Sequence, residues 1–343
     1  MRTALDFPLG GRSPAAGETL EVSPGVHWLR MPLPSSLKHV NLWLLDEGDG
    51  WTIVDCGIAA ETTKQLWRRV LAAAARGKPV RRVIVTHMHS DHLGLAQWLC
   101  ETQGARLWMS AADYRWAQRM LGATGEAFGA KAAAYLLRHG VEPGSLIDLA
   151  RTQPSPYPAL VPGLPPLYLA IADGQEVDIG GRTWRALAAE GHTPEHLSFY
   201  CASLDLMIAG DMLLPSISPY VGVPATTPEA NPLPGFLRSL DRFLALSDRT
   251  LVLPSHGNPF RGIASRVAEL HRHHRDRLAD VRNHCAVPRS AAELVPLVFR
   301  QALDDRQCML AIAEIIAHAN ALESMGQLRR QEGAHGVVRF AAD

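Results

Sequence analysis

Residues 87–92 read His-Met-His-Ser-Asp-His, which places four side chains able to bind a metal within six positions. A strand-like apolar stretch at 82–86 precedes the run, and a helical stretch at 93–100 follows it. Alternation along an extended turn puts His87 and His89 on one side, while Asp91 and His92 open the helix and face a second point. One short segment can thus serve two cations. Isolated histidines in polar loops are commonly incidental, but three with an aspartate between a strand end and a helix start are better read as ligands.

Two cations need about seven protein ligands, so the run alone is insufficient. Three further candidates stand at the ends of predicted strands, where a scaffold aims side chains rigidly. His192 lies in Gly191-His192-Thr193-Pro194-Glu195-His196, Asp211 follows a strand at 206–209, and His256 follows one at 250–253. The His271, His273, His274 cluster with Arg272, Arg275 and Arg277 has no carboxylate or cysteine partner at ligand spacing, and we read it as a solvated helix face.

The remaining pattern sets the class of fold. Strands are expected at 26–31, 40–45, 51–54, 82–86 and 106–109, with Gly48-Asp49-Gly50 as a hairpin turn and helices at 61–75 and 93–100. Residues 111–165 break this rhythm with two helices (111–121 and 126–139) and a proline-rich stretch from Pro154 to Pro166. Strands resume at 167–171, 183–188, 197–201, 206–209 and 250–253, with a helix at 236–246. From 263 onward the chain reads as helices (263–285, 291–303, 308–330) and a closing strand at 336–340. Sheets covered by helices, an α/β class, follow from that order.

Composition narrows the function classes. The 343 residues are 47% apolar and 20% charged with zero formal net charge, so no overall field draws the chain to nucleic acid or anionic lipid. Five scattered cysteines without a C-x-x-C pair point to a reducing compartment. We find no 18-residue apolar run and no apolar leader near the start, so a cytoplasmic protein without membrane contact is expected.

Taken together, the motifs resemble the metallo-β-lactamase-fold hydrolases. Their H-x-H-x-D-H matches residues 87–92, their G-H-T-P matches 191–194, their G-D matches Gly210-Asp211, and their late S-H-G matches Ser255-His256-Gly257. The resemblance implies a four-layer αββα sandwich with a helical lid insertion at 111–165. It assigns His87, His89 and His192 to one metal, Asp91, His92 and His256 to the second, and Asp211 to both. Asp55, in the position of the family's early D-x-G turn, is expected to orient a ligand histidine. His196 is expected behind the ligands or facing substrate, with Glu195 where relatives commonly carry Gly. Cys56 stands where the family commonly has Thr or Ser, and reads as a small buried residue.

Imidazole-rich, thiolate-free ligands suit two Zn²⁺, with Fe, Mn or Ni also compatible. The diiron flavoprotein branch typically carries Glu at the position of His89, which favours zinc here. A persulfide-oxidising branch holds a single iron with very similar residues.

The resemblance implies a hydrolase in which hydroxide between the metals attacks the substrate, with Asp91 and Asp211 assisting as catalytic carboxylates. The tail resembles the winged-helix appendage of the lactamase-beta-like subfamily, with a helix pair at 311–330 and a wing strand at 337–340. Domains are therefore expected at 1–262 and 263–343. Two readings of function stay open: a small-molecule ester, thioester or lactone hydrolase with 111–165 as its lid, and a winged-helix-assisted nuclease or phosphodiesterase. Residues 261–343 carry 12 Arg against 10 acidic residues and no Lys, too even for tracking phosphates. That balance favours a structural or homo-oligomerising tail. Tyr220 is a candidate hydrogen-bond donor to substrate. Lactone-cleaving relatives often place Tyr shortly after the bridging Asp, and here position 214 is Leu.

Overall fold

A computed structural model describes residues 5–73, 77–153 and 155–342; Ala74, Ala75 and Pro154, each part of an expected element, lie outside them. In chain order the elements are β1 (Leu20–Ser23), β2 (Val26–Pro32), β3 (His39–Asp46), β4 (Trp51–Val54), α1 (Glu61–Ala73), β5 (Val80–Ile84), α2 (Ser90–Leu93), α3 (Ala96–Gln103), β6 (Arg106–Met109), α4 (Ala111–Leu121), α5 (Gly125–Arg138), α6 (Ser145–Thr152) and α7 (Tyr157–Leu160). They continue as β7 (Tyr168–Ala170), β8 (Glu176–Ile179), β9 (Arg182–Ala189), β10 (His196–Cys201), β11 (Leu206–Gly210), α8 (Pro232–Arg242), β12 (Leu251–Pro254), α9 (Ile263–His284), α10 (Ala291–Val298), α11 (Asp305–Ser324), β13 (Leu328–Glu332) and β14 (Val338–Ala342).

The chain divides into two units. The first holds the residues up to Gly122 together with Tyr157–Pro219 and Ser239–Val267; the second holds Ala123–Pro156, Tyr220–Arg238 and the residues from Ala268 onward.

The first unit contains a seven-stranded sheet, β1 to β7 in chain order, and a five-stranded sheet ordered β12-β11-β10-β9-β8. Strands β1 to β4 form an antiparallel meander, and β4 to β7 run parallel. Parallel neighbours need crossover connections, which α1 and the α2–α3 pair supply. Alternation sorts the side chains. Trp28, Trp43, Leu45, Val54 and Ile84 meet Trp184, Leu197, Phe199, Ile208 and Leu253 in one buried cluster. The opposite face of the larger sheet turns Leu29, Leu42, Leu44, Ile53, Val83 and Leu107 toward Trp67 and Val70 of α1 and Leu99 of α3. Residues 40–45 are buried without interruption, the mark of a strand covered on both faces.

The helix expected at 93–100 is broken into α2 and α3. Gly94 sits at the break, where an added Cβ would lie 2.6 Å from the carbonyl oxygens of both Gly57 and Leu160. The chain bends there to let three backbones approach.

In the second unit, α5 and α6 bury Ala133, Leu136, Ile147 and Ala150 in a cluster with Val281, Leu294, Ile312, Ile316 and Phe340. The expected insertion at 111–165 is therefore divided: α4 and α7 belong to the first unit and α5 and α6 to the second, because the apolar faces of α5 and α6 complete the core of the C-terminal helices. Near the boundary expected at 262, the division falls between Val267 and Ala268, inside α9. Capping boxes start α10 (Ser290 with Glu293) and α11 (Asp304 with Gln307). The expected helix pair at 311–330 is instead the single helix α11 followed by β13, whose backbone pairs with β14 in an antiparallel hairpin. The reading of 271–277 as a solvated face also needs correction. His274 is 1% exposed and shares the stripe of Leu270 and Val281 on α9, so helical spacing carries it into the core. Its Nδ1 is 3.2 Å from Nε2 of His318.

Among the described residues, no helix is long and apolar enough to cross a membrane.

Candidate metal centre

The seven expected ligands all leave the sheets near strand ends. His87 to His92 follow β5, His192 lies between β9 and β10, Asp211 directly follows β11, and His256 follows β12. Because β11 and β12 are parallel neighbours, Asp211 and His256 emerge side by side, joined by a bond from Ser255 N–H to the Gly210 carbonyl. The sheets themselves meet at this end: Leu197 N–H donates to the Thr86 carbonyl over 2.8 Å, and Asn41 N–H to the Ser255 carbonyl over 2.7 Å.

The donor atoms form two groups, His87, His89, His192 and Asp211 in one, and Asp91, His92 and His256 in the other, each within 4.8 Å. In the first, Nε2 of His87 is 3.0 Å from Nδ1 of His89 and 3.3 Å from Nε2 of His192. In the second, Nε2 of His256 is 3.4 Å from Asp91 Oδ2, and Nε2 of His92 is 3.6 Å from the same oxygen. Asp211 serves both. Its Oδ2 is 3.4 Å from His192 Nε2 and 3.8 Å from His87 Nε2, while its Oδ1 is 3.6 Å from His92 Nε2 and 3.6 Å from His256 Nε2.

This donor set fits a pair of divalent cations. His92 Nε2 and Asp211 Oδ1 are buried with no hydrogen-bond partner among the protein groups, a costly arrangement that a cation between them would satisfy. Nitrogen and carboxylate donors without thiolate match the preferences of zinc and its neighbours.

Behind the donors, other groups fix which ring nitrogen faces inward. Asp55 Oδ2 is 2.8 Å from Nδ1 of His92. Its carboxylate also accepts from the Thr86 N–H and hydroxyl, both at 2.8 Å. Asp55 adopts a positive φ of 64°, a conformation aspartate tolerates better than most residues. The Thr86 hydroxyl, once donated to Asp55, can accept from Nδ1 of His87 at 3.0 Å. The His39 carbonyl accepts from Nδ1 of His256 at 2.9 Å. Three of the candidate donor histidines therefore spend Nδ1 on the scaffold and present Nε2.

Electrostatics divides the two groups. Burial, followed by the neighbouring imidazoles, holds His87 well below the usual histidine range, and burial with His192 lowers His89 to about 3. Burial also opposes charge on His92, but the Asp91, Asp55 and Asp211 carboxylates overcome it and push this histidine up to about 10. Against its own burial, Asp211 is held well below the usual carboxylate range by His92, His256 and His192. Asp91 is lowered too, against burial, chiefly by His92. Both carboxylates are anionic at neutral pH.

His196 lies behind the donors. It is fully buried, and its Nε2 accepts from the backbone N–H of Asp211. Gly210 makes room for it, since a Cβ there would fall 2.3 Å from that nitrogen. Tyr220 belongs to the second unit, where burial and then the Glu314 carboxylate raise its phenol above the usual range. Cys56 is buried, and burial with Asp55 raises its thiol.

One residue escapes the sequence reading. Asp113, in the first turn of α4, is fully buried and accepts from the backbone N–H groups of Met88 and Glu195, each at 2.8 Å. Burial pushes its carboxyl up to about 6 against the pull of those two donors. Ser110 caps α4 by accepting from the Asp113 N–H, so the sequence shows only an ordinary acidic residue near a helix start.

Comparison with known proteins agrees with the geometry. Residues 36–256 match the family described as "Metallo-beta-lactamase superfamily", and residues 278–343 match "Metallo-beta-lactamase-like, C-terminal domain". The chain is similar to a solved β-lactamase domain protein from Burkholderia ambifaria, with 46% identity, a TM-score of 0.92, and 99% of this chain and 98% of that one covered. It is also similar to the metallo-beta-lactamase family protein TTHA1429 from Thermus thermophilus, at 30% identity and TM-score 0.77, covering 94% of this chain and 100% of that one. Among curated proteins, the probable metallo-hydrolase YqjP of Bacillus subtilis is 25% identical over 317 residues, 86% of this chain and 91% of its own length. A hydroxyacylglutathione hydrolase of Acidiphilium cryptum is 26% identical over 216 residues, 62% of this chain and 63% of that protein.

Proposed function

The chain belongs to the metallo-beta-lactamase superfamily and is a metal-dependent hydrolase, and from that premise we propose that it cleaves a small carboxylic thioester, ester or lactone with two zinc ions held by the seven residues above. The observation that carries the dinuclear reading is the placement of Asp211, with one carboxylate oxygen turned to each ligand group. When bound, two divalent cations supply a low-pKa water and polarise the acyl carbonyl. The protein's part is to hold and orient. His87, His89 and His192 fix one position and Asp91, His92 and His256 the other, in a setting where burial keeps His87 and His89 neutral and therefore able to donate lone pairs. Asp91 is the more exposed of the two carboxylates, with 18% of its side chain accessible against 10% for Asp211. It is the group placed to take a proton from attacking water or return one to the leaving group.

The acyl substrate class draws on the similarity to hydroxyacylglutathione hydrolases, which by name act on an acylated thiol. The near-even charge of residues 261–343 speaks in the same direction, since a surface that grips phosphates needs an excess of cations.

The deciding experiment presents the zinc-loaded protein with p-nitrophenyl esters, acyl thioesters, lactones, a phosphodiester and a β-lactam, alongside a His87→Ala variant. We expect turnover of an acyl substrate that is lost in the variant. Turnover of the phosphodiester alone would overturn the substrate class, and equal turnover by His87→Ala would overturn the metal chemistry.

A further inference from the structure

The Met88 peptide groups lie between two ligand histidines, and buried side chains hold both of them. The Met88 N–H donates to Asp113 Oδ2 at 2.8 Å, and the Met88 carbonyl accepts from the Tyr157 hydroxyl at 2.6 Å. Asp113 is fully buried and Tyr157 is 7% exposed. Residues 87 and 89 are attached directly to these two peptide groups, so any rotation of either peptide plane swings one or both imidazoles. The second oxygen of Asp113 accepts from the Glu195 N–H at 2.8 Å, in the loop that carries His192 three positions earlier. One carboxylate thus ties together the two loops that provide every histidine of the first ligand group.

The second group has other supports. His92 is held by Asp55 and His256 by the His39 carbonyl. Asn41 further fixes the His256 loop by donating to the carbonyls of Pro254 and Gly257, each at 2.7 Å. Neither Asp113 nor Tyr157 appears in that network.

We propose that Asp113 and Tyr157, both contributed by the segment between β6 and β7, are positioning residues that pre-organise the His87, His89 and His192 group and leave the Asp91, His92 and His256 group to a separate set of supports. The inference rests on the metal reading of these seven residues. Its physical basis is the cost of ordering: a site whose ligands are already aimed binds more tightly than one that must freeze its loops on binding. An amide at position 113 retains one acceptor oxygen but turns an N–H₂ toward the other backbone N–H, which releases one of the two loops. Loss of the phenol hydroxyl frees the Met88 carbonyl without changing the shape of the core.

The test separates the two groups by deleting one ligand at a time. Zinc affinity is measured by chelator competition in a His256→Ala background, which keeps the first group, and in a His192→Ala background, which keeps the second. Asp113→Asn is expected to lower affinity about 10- to 100-fold in the first background, and Tyr157→Phe about 3- to 10-fold, with less than about 3-fold change for either in the second. Selective loss is a readout that a merely destabilised protein does not give. Equal weakening in both backgrounds, or no weakening in the first, overturns the proposal. Should Asp113→Asn fail to fold, the isosteric Tyr157→Phe carries the same prediction. If neither background nor the parent protein binds zinc, the ligand assignment beneath the proposal is what fails.

Discussion

The backbone N–H of Asp211 donates to Nε2 of His196 across 3.1 Å, and this bond sets the direction of the carboxylate shared by both ligand groups. Replacing His196 with Phe keeps an aromatic ring but leaves a buried N–H without an acceptor, at a cost of about 1–3 kcal/mol. Asp211 then loses its fixed orientation. We expect kcat to fall roughly 10- to 100-fold at saturating zinc, with metal content by atomic absorption still near two equivalents. Unchanged kcat in the variant would show that the turn after β11 holds Asp211 unaided.

Cation binding should release a proton from His92. The carboxylates around it outweigh burial and raise it to about 10, so at pH 8 it is protonated and must deprotonate to act as a ligand. Titration calorimetry in buffers of different ionisation enthalpy is expected to count about one proton released. Asp55→Asn removes one of the carboxylates and turns an N–H₂ toward Nδ1 of His92, so both the proton count and the affinity of the second group should drop. A buffer-independent enthalpy in the parent protein would rule out this account.

The second unit is expected to lose stability in mild acid. Burial first, then His318 and His273, lowers His274 to about 2; burial also lowers His318 to about 4, outweighing the pull of the Glu314 carbonyl. Both are neutral in the folded protein, whereas unfolded histidines take up protons near pH 6.5. Their favourable contribution is therefore complete above about pH 6.5 and is lost as pH falls toward 4, by ~3 kcal/mol for His318 alone. Thermal melts from pH 7.5 to 5 should show a falling midpoint, with a shallower slope in His318→Gln. Identical slopes would exclude this histidine as the source.

Gly210 and His196 should prove energetically coupled. Gly210 has φ of 56°, and an added Cβ would also press on Thr86 at 3.3 Å. Gly210→Ala is expected to destabilise by ~2–4 kcal/mol. In the double variant Gly210→Ala, His196→Ala the clash with the imidazole disappears while the strained φ remains. Urea denaturation should then give less than the sum of the single effects, by ~0.5–3 kcal/mol. Strict additivity would mean the backbone alone sets the cost.

The strands of the larger sheet are legible because residues such as those at 40–45 and 51–54 are, Asn41 and Thr52 aside, apolar on both faces, a pattern that burial in a layered fold imposes. Strand β13 is not, since Leu-Arg-Arg-Gln-Glu carries almost no apolar signal and owes its form to pairing with β14. Helix α6 is short and follows a Pro-Gly pair, and only its packing with α5 reveals it. In the site, the seven candidate donors are visible because metal ligands must be particular residue types at dense or strand-end positions. Asp113 is invisible for the opposite reason. A carboxylate that works through backbone N–H groups leaves no pattern in the residues it holds. His274 reads wrongly as solvated because charged neighbours on α9 hide its place on the apolar stripe.

Each ligand group draws on both sheets. His87, His89, Asp91 and His92 leave the seven-stranded sheet by way of β5, while His192, Asp211 and His256 leave the five-stranded one. A slip of one residue in any of these strands displaces its donor by about 3.3 Å, nearly the separation between neighbouring donors. Cation affinity is in this sense a gauge of strand registration, and only a sandwich assembled in the right register closes both rings of ligands. A cation held in each group would act as a rivet through the two layers, so metal retention and the integrity of the β-sandwich should be lost in a single event.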